Sequence, residues 1–272
     1  MSAVHSALSN GEGLDPVIAG FYRGVLAALE DSGRPYLIGG AYALNHYASI
    51  KRNTRDLDIF IKREDFDAVS AALLRAGFEA ELTFPHWLGK IHAHGVYIDL
   101  IFSSGNGVAV VDDAWFDHAR TTELLGFEVK LSPIEEMIWS KAFIMERERY
   151  DGADIVHLLL TRAEEVDWTR LMQRFDGHWR VLLAHLVLFG FVYPAERHWV
   201  PVWVMDELLR RLRSELKQPA PVGTLCQGTL LSREQYLPDI QEQGLRDGRI
   251  LPHGNMTQEE AKLWTRAIPD RG

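Results

Sequence analysis

Residues 36–61 read YLIGGAYALNHYASIKRNTRDLDIFI, and the fold turns on how this stretch is read. A short apolar run, Tyr36-Leu37-Ile38, ends in Gly39-Gly40. Residues of helical character follow from Ala41 to Tyr47, then a basic, polar connection, Lys51-Arg52-Asn53-Thr54-Arg55, and finally Asp56-Leu57-Asp58-Ile59-Phe60-Ile61. The last piece sets two tendencies against each other. Leu57, Ile59, Phe60 and Ile61 suit a buried strand. Asp is depleted in strands, and burying a bare carboxylate costs on the order of several kcal/mol. Asp56 and Asp58 sit two apart, so on a strand they project to one side. Two carboxylates on one side repel unless a cation holds them. Mg²⁺ does so through one or two carboxylates completed by water and phosphate oxygens. The stretch therefore predicts a strand, a Gly-Gly turn, a helix, a basic loop, and a strand presenting two metal ligands.

The flanking sequence supports that frame. Val17, Ile18, Phe21, Val25, Leu26 and Leu29 recur at helical spacing from Pro16 to Asp31, and Ser32-Gly33 with Pro35 ends the helix. A Gly-rich turn into a helix N-terminus offers backbone N–H groups to phosphate. Gly-Gly alone is also an ordinary tight turn; Asp56 and Asp58 tip the reading to phosphate. Lys62 to Gly77 predicts a helix with Glu64, Asp65 and Asp67 in its first turns. Glu79–Thr83 predicts a strand stopped by Pro85, and Lys90–Val96 a further extended segment. His92 and His94 lie two apart there, a spacing that can serve zinc but more often belongs to solvated or structural histidines. Asp99 stands in the apolar run Tyr97–Phe102, where an acid has no packing reason to be. Asp112 and Asp113 are alternative acids, though Val111-Asp112-Asp113-Ala114-Trp115 reads as a turn or helix start. Phe127–Leu131 predicts a closing strand.

These residues resemble the signature of the DNA polymerase β-like nucleotidyltransferase superfamily. A hydrophobic residue and Gly-Gly, here Ile38-Gly39-Gly40, precede Asp-x-Asp, here Asp56-Leu57-Asp58, and a third acid on a later strand, best placed at Asp99. The Arg-x-Thr-x-Asp-x-Asp wording from Arg52 is similar to that of the minimal and antibiotic-modifying members. The resemblance covers roughly the first half of the chain, and its spacer, residues 41–55, is at the long end of the usual pattern. It implies two Mg²⁺ ions, an NTP donor (ATP expected), catalytic and metal-binding roles for Asp56, Asp58 and Asp99, and triphosphate contacts from Gly39, Gly40 and Arg52. It also implies that Lys141, in the helical segment after the catalytic domain, approaches the nucleotide. A Lys within an apolar stripe needs a partner or a route to water, and a triphosphate would serve.

The chain has 272 residues and a formal net charge of −9, which argues against a broad basic surface for long nucleic acid. Its single cysteine, Cys226, excludes an internal disulfide and suits a reducing compartment. Residues 1–16 lack the pattern of a secretory signal, and the run from Val181 to Ala195, interrupted by His185, is short for a bilayer. These features predict a cytoplasmic protein without membrane contact.

Ser132-Pro133 marks a change of character. Ser132 predicts an N-cap, with Pro133 at the first helical position and Glu135 three on. Helical stretches are expected at Asp167–Phe175, Trp179–Phe191 and Pro201–Lys217, and Gln218–Gly223 as a linker. The Gly and Pro beyond Gly244 predict an irregular tail.

The expected fold is α/β: a small mixed sheet flanked by helices over residues 1–131, a helical domain over 132–218, and the tail over 219–272. The expected activity is transfer of a nucleoside monophosphate to a hydroxyl of a small molecule, an RNA end or a protein, with release of pyrophosphate. Two alternatives stand beside it: a non-catalytic, antitoxin-like interaction module on the same fold, and a metal-dependent phosphohydrolase, which would release phosphate instead.

Overall fold

The computed structural model describes residues 14–48 and 56–268. Arg52, and with it Lys51 and Arg55, lies outside the described residues. The chain divides into two compact units, the first ending at Pro133 and the second beginning at Ile134.

The first unit is built on a seven-stranded mixed sheet. Helix α1 (Pro16–Ser32) precedes it, opened by the Asp15 side chain accepting from Val17 N–H and closed by Gly33 at φ 64°. The strands are β1 (Leu37–Ile38), β2 (Leu57–Phe60), β3 (Ala80–Phe84), β4 (Leu88–Ala93), β5 (Val96–Ile101), β6 (Arg120–Leu124) and β7 (Phe127–Leu131). Their order is β3-β4-β5-β2-β1-β7-β6. The pairs β2–β5 and β1–β7 are parallel; the rest are antiparallel. Helix α2 (Gly40–Ala48) springs directly from β1, α3 (Phe66–Arg75) follows β2 and packs against α1, and the short α4 (Asp113–Asp117) follows β5.

Period-2 alternation sorts the central strands. Leu57 and Ile59 on β2, and Ile98 and Leu100 on β5, are fully buried. Their neighbours Asp58 and Phe60, and Tyr97, Asp99 and Ile101, are only partly covered and share the other face. The core is thus apolar on one side of the sheet's centre, while the acids lie on the side that keeps access to water.

Two local expectations change here. The segment 90–96 is not one strand: β4 and β5 form a hairpin whose turn residues His94 and Gly95 have φ 53° and 75°. His92 stays on β4 and His94 sits in the turn, both exposed, so they do not share a strand face. Strand β7 pairs inside the sheet, and the polar β6 (RTTEL), which apolar patterning does not single out, forms the edge.

The second unit is helical: α5 (Ile134–Ala142), α6 (Gly152–Arg162), α7 (Trp168–Phe175), α8 (Trp179–Val192) and α9 (Val202–Glu215). The expected capping box at Ser132 does not form. Glu135 instead accepts from the Asp167 backbone N–H at 2.6 Å and pairs with Arg170. Residues Trp168–Val192 together are long and apolar enough, by length and composition, to cross a membrane. They are nevertheless two helices joined by a 3-10 turn, and Leu182, Leu186 and Phe189 are buried core residues.

Residues 224–268 are more regular than their Gly and Pro content suggests. Strands β8 (Leu225–Cys226) and β9 (Arg246–Asp247) pair in parallel, and helices α10 (Leu237–Gln241) and α11 (Gln258–Arg266) flank β9 in the chain. Buried Arg249 holds Asp247 at 2.6 Å, Thr229 donates to the same carboxylate at 2.7 Å, and Thr257 with Glu260 forms a capping box on α11. The polar residues that look loop-like in sequence supply this local order through paired side chains.

Candidate active site

The site grows from the join between β1 and α2. Gly40 has φ 54°, a conformation that favours glycine. A Cβ at that residue would lie 1.6 Å from Oδ2 of Asp58. The Asp58 carboxylate is therefore seated in the space a side chain at residue 40 would fill, at the N-terminal end of α2. Gly39 approaches another neighbour, since its Cβ would meet the Phe60 ring at 2.1 Å. The Gly39 N–H is already taken, donating to the Asp58 carbonyl at 2.9 Å. That corrects the expectation that both glycines offer N–H groups to phosphate: the N–H groups that open α2 belong to Gly40, Ala41 and Tyr42.

The parallel pairing of β2 and β5 sets Asp58 directly beside Asp99. The antiparallel pairing of β4 and β5 sets Lys90 on the other flank of Asp99. The Lys90 ammonium lies 2.7 Å from Asp99 Oδ1 and 3.9 Å from the centre of the Tyr97 ring. Tyr97 in turn donates its hydroxyl to Asp56 Oδ2 at 3.0 Å. Asp56, Asp58, Asp99, Lys90 and Tyr97 thus gather on one face of the sheet's centre.

Electrostatics follow from this crowding. Burial pushes the Asp99 carboxyl above the usual carboxylate range, the Lys90 contact pulls it part of the way back, and the Asp56 charge adds to the rise. Donation to Asp56, then burial, raises the Tyr97 hydroxyl to about 12. Tyr22 of α1 is pushed up by its own burial and by Tyr42, Asp56 and Asp58.

The three acids share this face, with Asp58 directly beside Asp99. Among the described residues, no group of three or more His, Cys, Asp and Glu side chains comes together closely enough to hold a metal ion. Asp99 Oδ1 faces the Lys90 ammonium. Asp56 and Asp58 offer oxygen ligands only, and Asp58 lies beside a helix N-terminus. With water and phosphate oxygens, such a pair fits what Mg²⁺ usually takes.

The alternative third acid Asp113 is exposed and pairs with Lys62 at 2.9 Å. Lys141 lies in the second unit, on α5, with its ammonium 3.1 Å from Asp151 and 2.8 Å from Asp154. The need for a partner that pointed to a triphosphate is met by these two carboxylates.

A family described as uncharacterised nucleotidyltransferase matches the chain over residues 18–188. The chain belongs to this nucleotidyltransferase family. Among solved structures, the antibiotic-resistance factor ANT(2'')-Ia in solution is similar at 17% identity, over 63% of this chain and 98% of that one, with a TM-score of 0.44. The lincosamide antibiotic adenylyltransferase LnuA, bound to lincomycin, is similar at 18% identity over 52% and 94% of the two chains, with a TM-score of 0.36. A nucleotidyltransferase-like protein from Paracoccidioides brasiliensis is similar at 20% identity over 58% and 75%, with a TM-score of 0.34. No curated protein matches. The nucleotidyltransferase region, residues 18–188, takes in the whole face just described.

Sequence reasoning missed Lys90, Tyr97 and Tyr22. A usable signal existed for the first two. A two-residue turn at His94-Gly95 sets residue 93 against 96 and therefore 90 against 99, and residues 97 and 99 share a face by period. Tyr22 carries no such signal, because its approach depends on how α1 packs.

Proposed function

We propose that this nucleotidyltransferase moves a nucleoside monophosphate from an NTP to a hydroxyl of a small molecule, in a Mg²⁺-dependent reaction that releases pyrophosphate. The observation that carries the reading is the Asp58 carboxylate seated on Gly40 at the start of α2 and set beside Asp99 across β2 and β5.

In this reading the first turn of α2 receives the triphosphate, with its N–H groups and positive helix end toward the anion. Asp56 and Asp58 would hold Mg²⁺, and of the two ions the resemblance implies, the other would arrive on the triphosphate. Mg²⁺ bound there supplies neutralisation of charge on the phosphate oxygens. Tyr97 keeps Asp56 turned toward the site. Asp99, made more basic by burial, accepts the proton of the attacking hydroxyl. That oxygen forms its bond to the α-phosphorus as the bond to the bridging oxygen breaks and pyrophosphate leaves. The net charge of −9 favours a cationic acceptor over a polyanion. ATP is the donor to test first, and a single cysteine accords with action in the cytoplasm.

Isothermal titration of the protein with Mg²⁺ and each of the four NTPs tests this reading, with the Asp56→Asn/Asp58→Asn double variant as control. Expected is Mg²⁺-dependent binding of one NTP, lost in a variant that circular dichroism shows to be folded. Equal binding by wild type and variant would overturn the assignment.

A further inference from the structure

We infer that Lys90 is a built-in cation for the third acid, so that the resting protein takes a single divalent ion, on Asp56 and Asp58, with Asp99 kept out of its ligand set. The inference rests on the metal reading above, and its test is arranged so that the two can fail separately.

Lys90 is placed by the sheet. It lies midway along β4, within an unbroken run of six cross-strand pairs from Leu88↔Ile101 to Ala93↔Val96. Lys90 and Asp99 side chains are 22% and 18% exposed, so their charges meet in a largely dry setting where attraction is stronger than at a surface. The ammonium also rests 3.9 Å from the centre of the Tyr97 ring, a second stabilising contact for a cation. A flexible surface lysine would have neither a cross-strand partner nor an aromatic floor.

Charge accounting points the same way. Lys90 offsets the charge of Asp99, so this pair adds no net negative charge to the acidic face. Without the lysine the three acids would ask for more positive charge than one ion brings. Tyr97 joins the two halves: its ring lies under the ammonium and its hydroxyl bonds the Asp56 carboxylate. Lys90 is thus a positioning residue, holding Asp99 for its proton-accepting task while leaving the ion to its neighbours.

The test counts bound metal rather than turnover. Mn²⁺ alone, followed by electron paramagnetic resonance, is titrated into wild type, Lys90→Met, Lys90→Arg, Lys90→Met/Asp99→Asn and Asp58→Asn. Expected are one site in wild type and in Lys90→Arg, and a second site, or at least tenfold tighter binding, in Lys90→Met. The charge-balanced double variant should keep wild-type Mn²⁺ affinity within about threefold while losing nucleotidyl transfer, because it removes no ligand. A tenfold or greater loss in that double variant, or no gain in Lys90→Met, would overturn the inference while leaving the metal reading standing. Undiminished Mn²⁺ binding in Asp58→Asn, or none in wild type, would overturn the metal reading and the inference with it. If Lys90→Met fails to fold, the double variant decides, since removing a buried pair together is far milder than removing one partner.

Discussion

Replacing Gly40 by alanine should disable the site while barely disturbing the fold. The new Cβ would lie 1.6 Å from Asp58 Oδ2, whereas ordinary contact begins near 3.4 Å. The carboxylate must therefore retreat by roughly 1.8 Å, far beyond the tolerance of about 0.2 Å that a metal ligand allows. Loss of such a support typically costs about 10–100-fold in metal affinity. The stability cost is smaller, about 1–2 kcal/mol for an alanine held at φ 54°. Two glycine controls separate the effects. Gly33→Ala meets the same backbone strain, at φ 64°, with nothing within 4 Å of its Cβ, so it should lose stability alone. Gly39→Ala presses on the Phe60 ring rather than on Asp58, so it too should lose stability before it loses metal. The assay is Mn²⁺ titration paired with urea denaturation. Gly40→Ala binding Mn²⁺ within threefold of wild type would refute the seat assigned to Asp58.

Further outcomes follow from the second unit. Arg170 is mostly buried between Glu135 and Glu136, and Arg174 adds a 2.8 Å bond to Glu136. Arg170→Met should cost about 3–5 kcal/mol in urea denaturation, since it takes the guanidinium from buried Glu135 and leaves Glu136 to Arg174; a loss below about 1 kcal/mol would show that Arg174 alone suffices. Lys141→Met should likewise destabilise by leaving Asp151 and Asp154 without its ammonium, while Mn²⁺ binding stays unchanged; weaker Mn²⁺ binding would support the nucleotide-side role that the resemblance implies for Lys141. His185 is buried, donates its Nε2–H to the Ala142 carbonyl at 2.8 Å, and leaves Nδ1 without a partner among the described residues. Burial holds its pKa below the ordinary histidine value. The unfolded chain therefore takes up a proton that the folded chain refuses, so this contribution is full above about pH 6.5 and falls away as pH drops through that value, by at most about 1.4 kcal/mol per pH unit. Denaturation at pH 7.5 and 5.5 should show a shallower acid-side loss in His185→Leu than in wild type; equal losses would remove His185 as the cause.

The parts of the site that were legible in sequence are those written by local conflict. Asp56 and Asp58 in a strand-like run, Asp99 in another, and paired glycines before a helix each break a local rule, and a broken local rule usually marks function. What stayed hidden depends on partners far apart in the chain. Ile38 lies in a two-residue strand yet pairs with Ile59 on one side and Leu131 on the other, so its place in the sheet is set by tertiary pairing rather than by its own length. Glu135 has the spacing of a capping residue, but an N–H and a guanidinium more than thirty positions on offered it stronger partners. Lys141 looked unpartnered because Asp151 and Asp154 approach it only once α5 and α6 pack.

Lys90 shows where sequence and structure meet. Taken singly it is one more polar residue in a segment rich in histidine. The turn at His94-Gly95 converts it into the cross-strand neighbour of Asp99, because hairpin register is set by loop length. Moving that turn by one residue would carry the lysine to the apolar face, where Ile91 and Ile98 pack, and would take from Asp99 its cross-strand cation. The placing of one charge in the site is therefore a property of a two-residue loop some distance along the strand. A substitution that shortens or lengthens that loop should disturb the acidic face as surely as a change to the acids themselves.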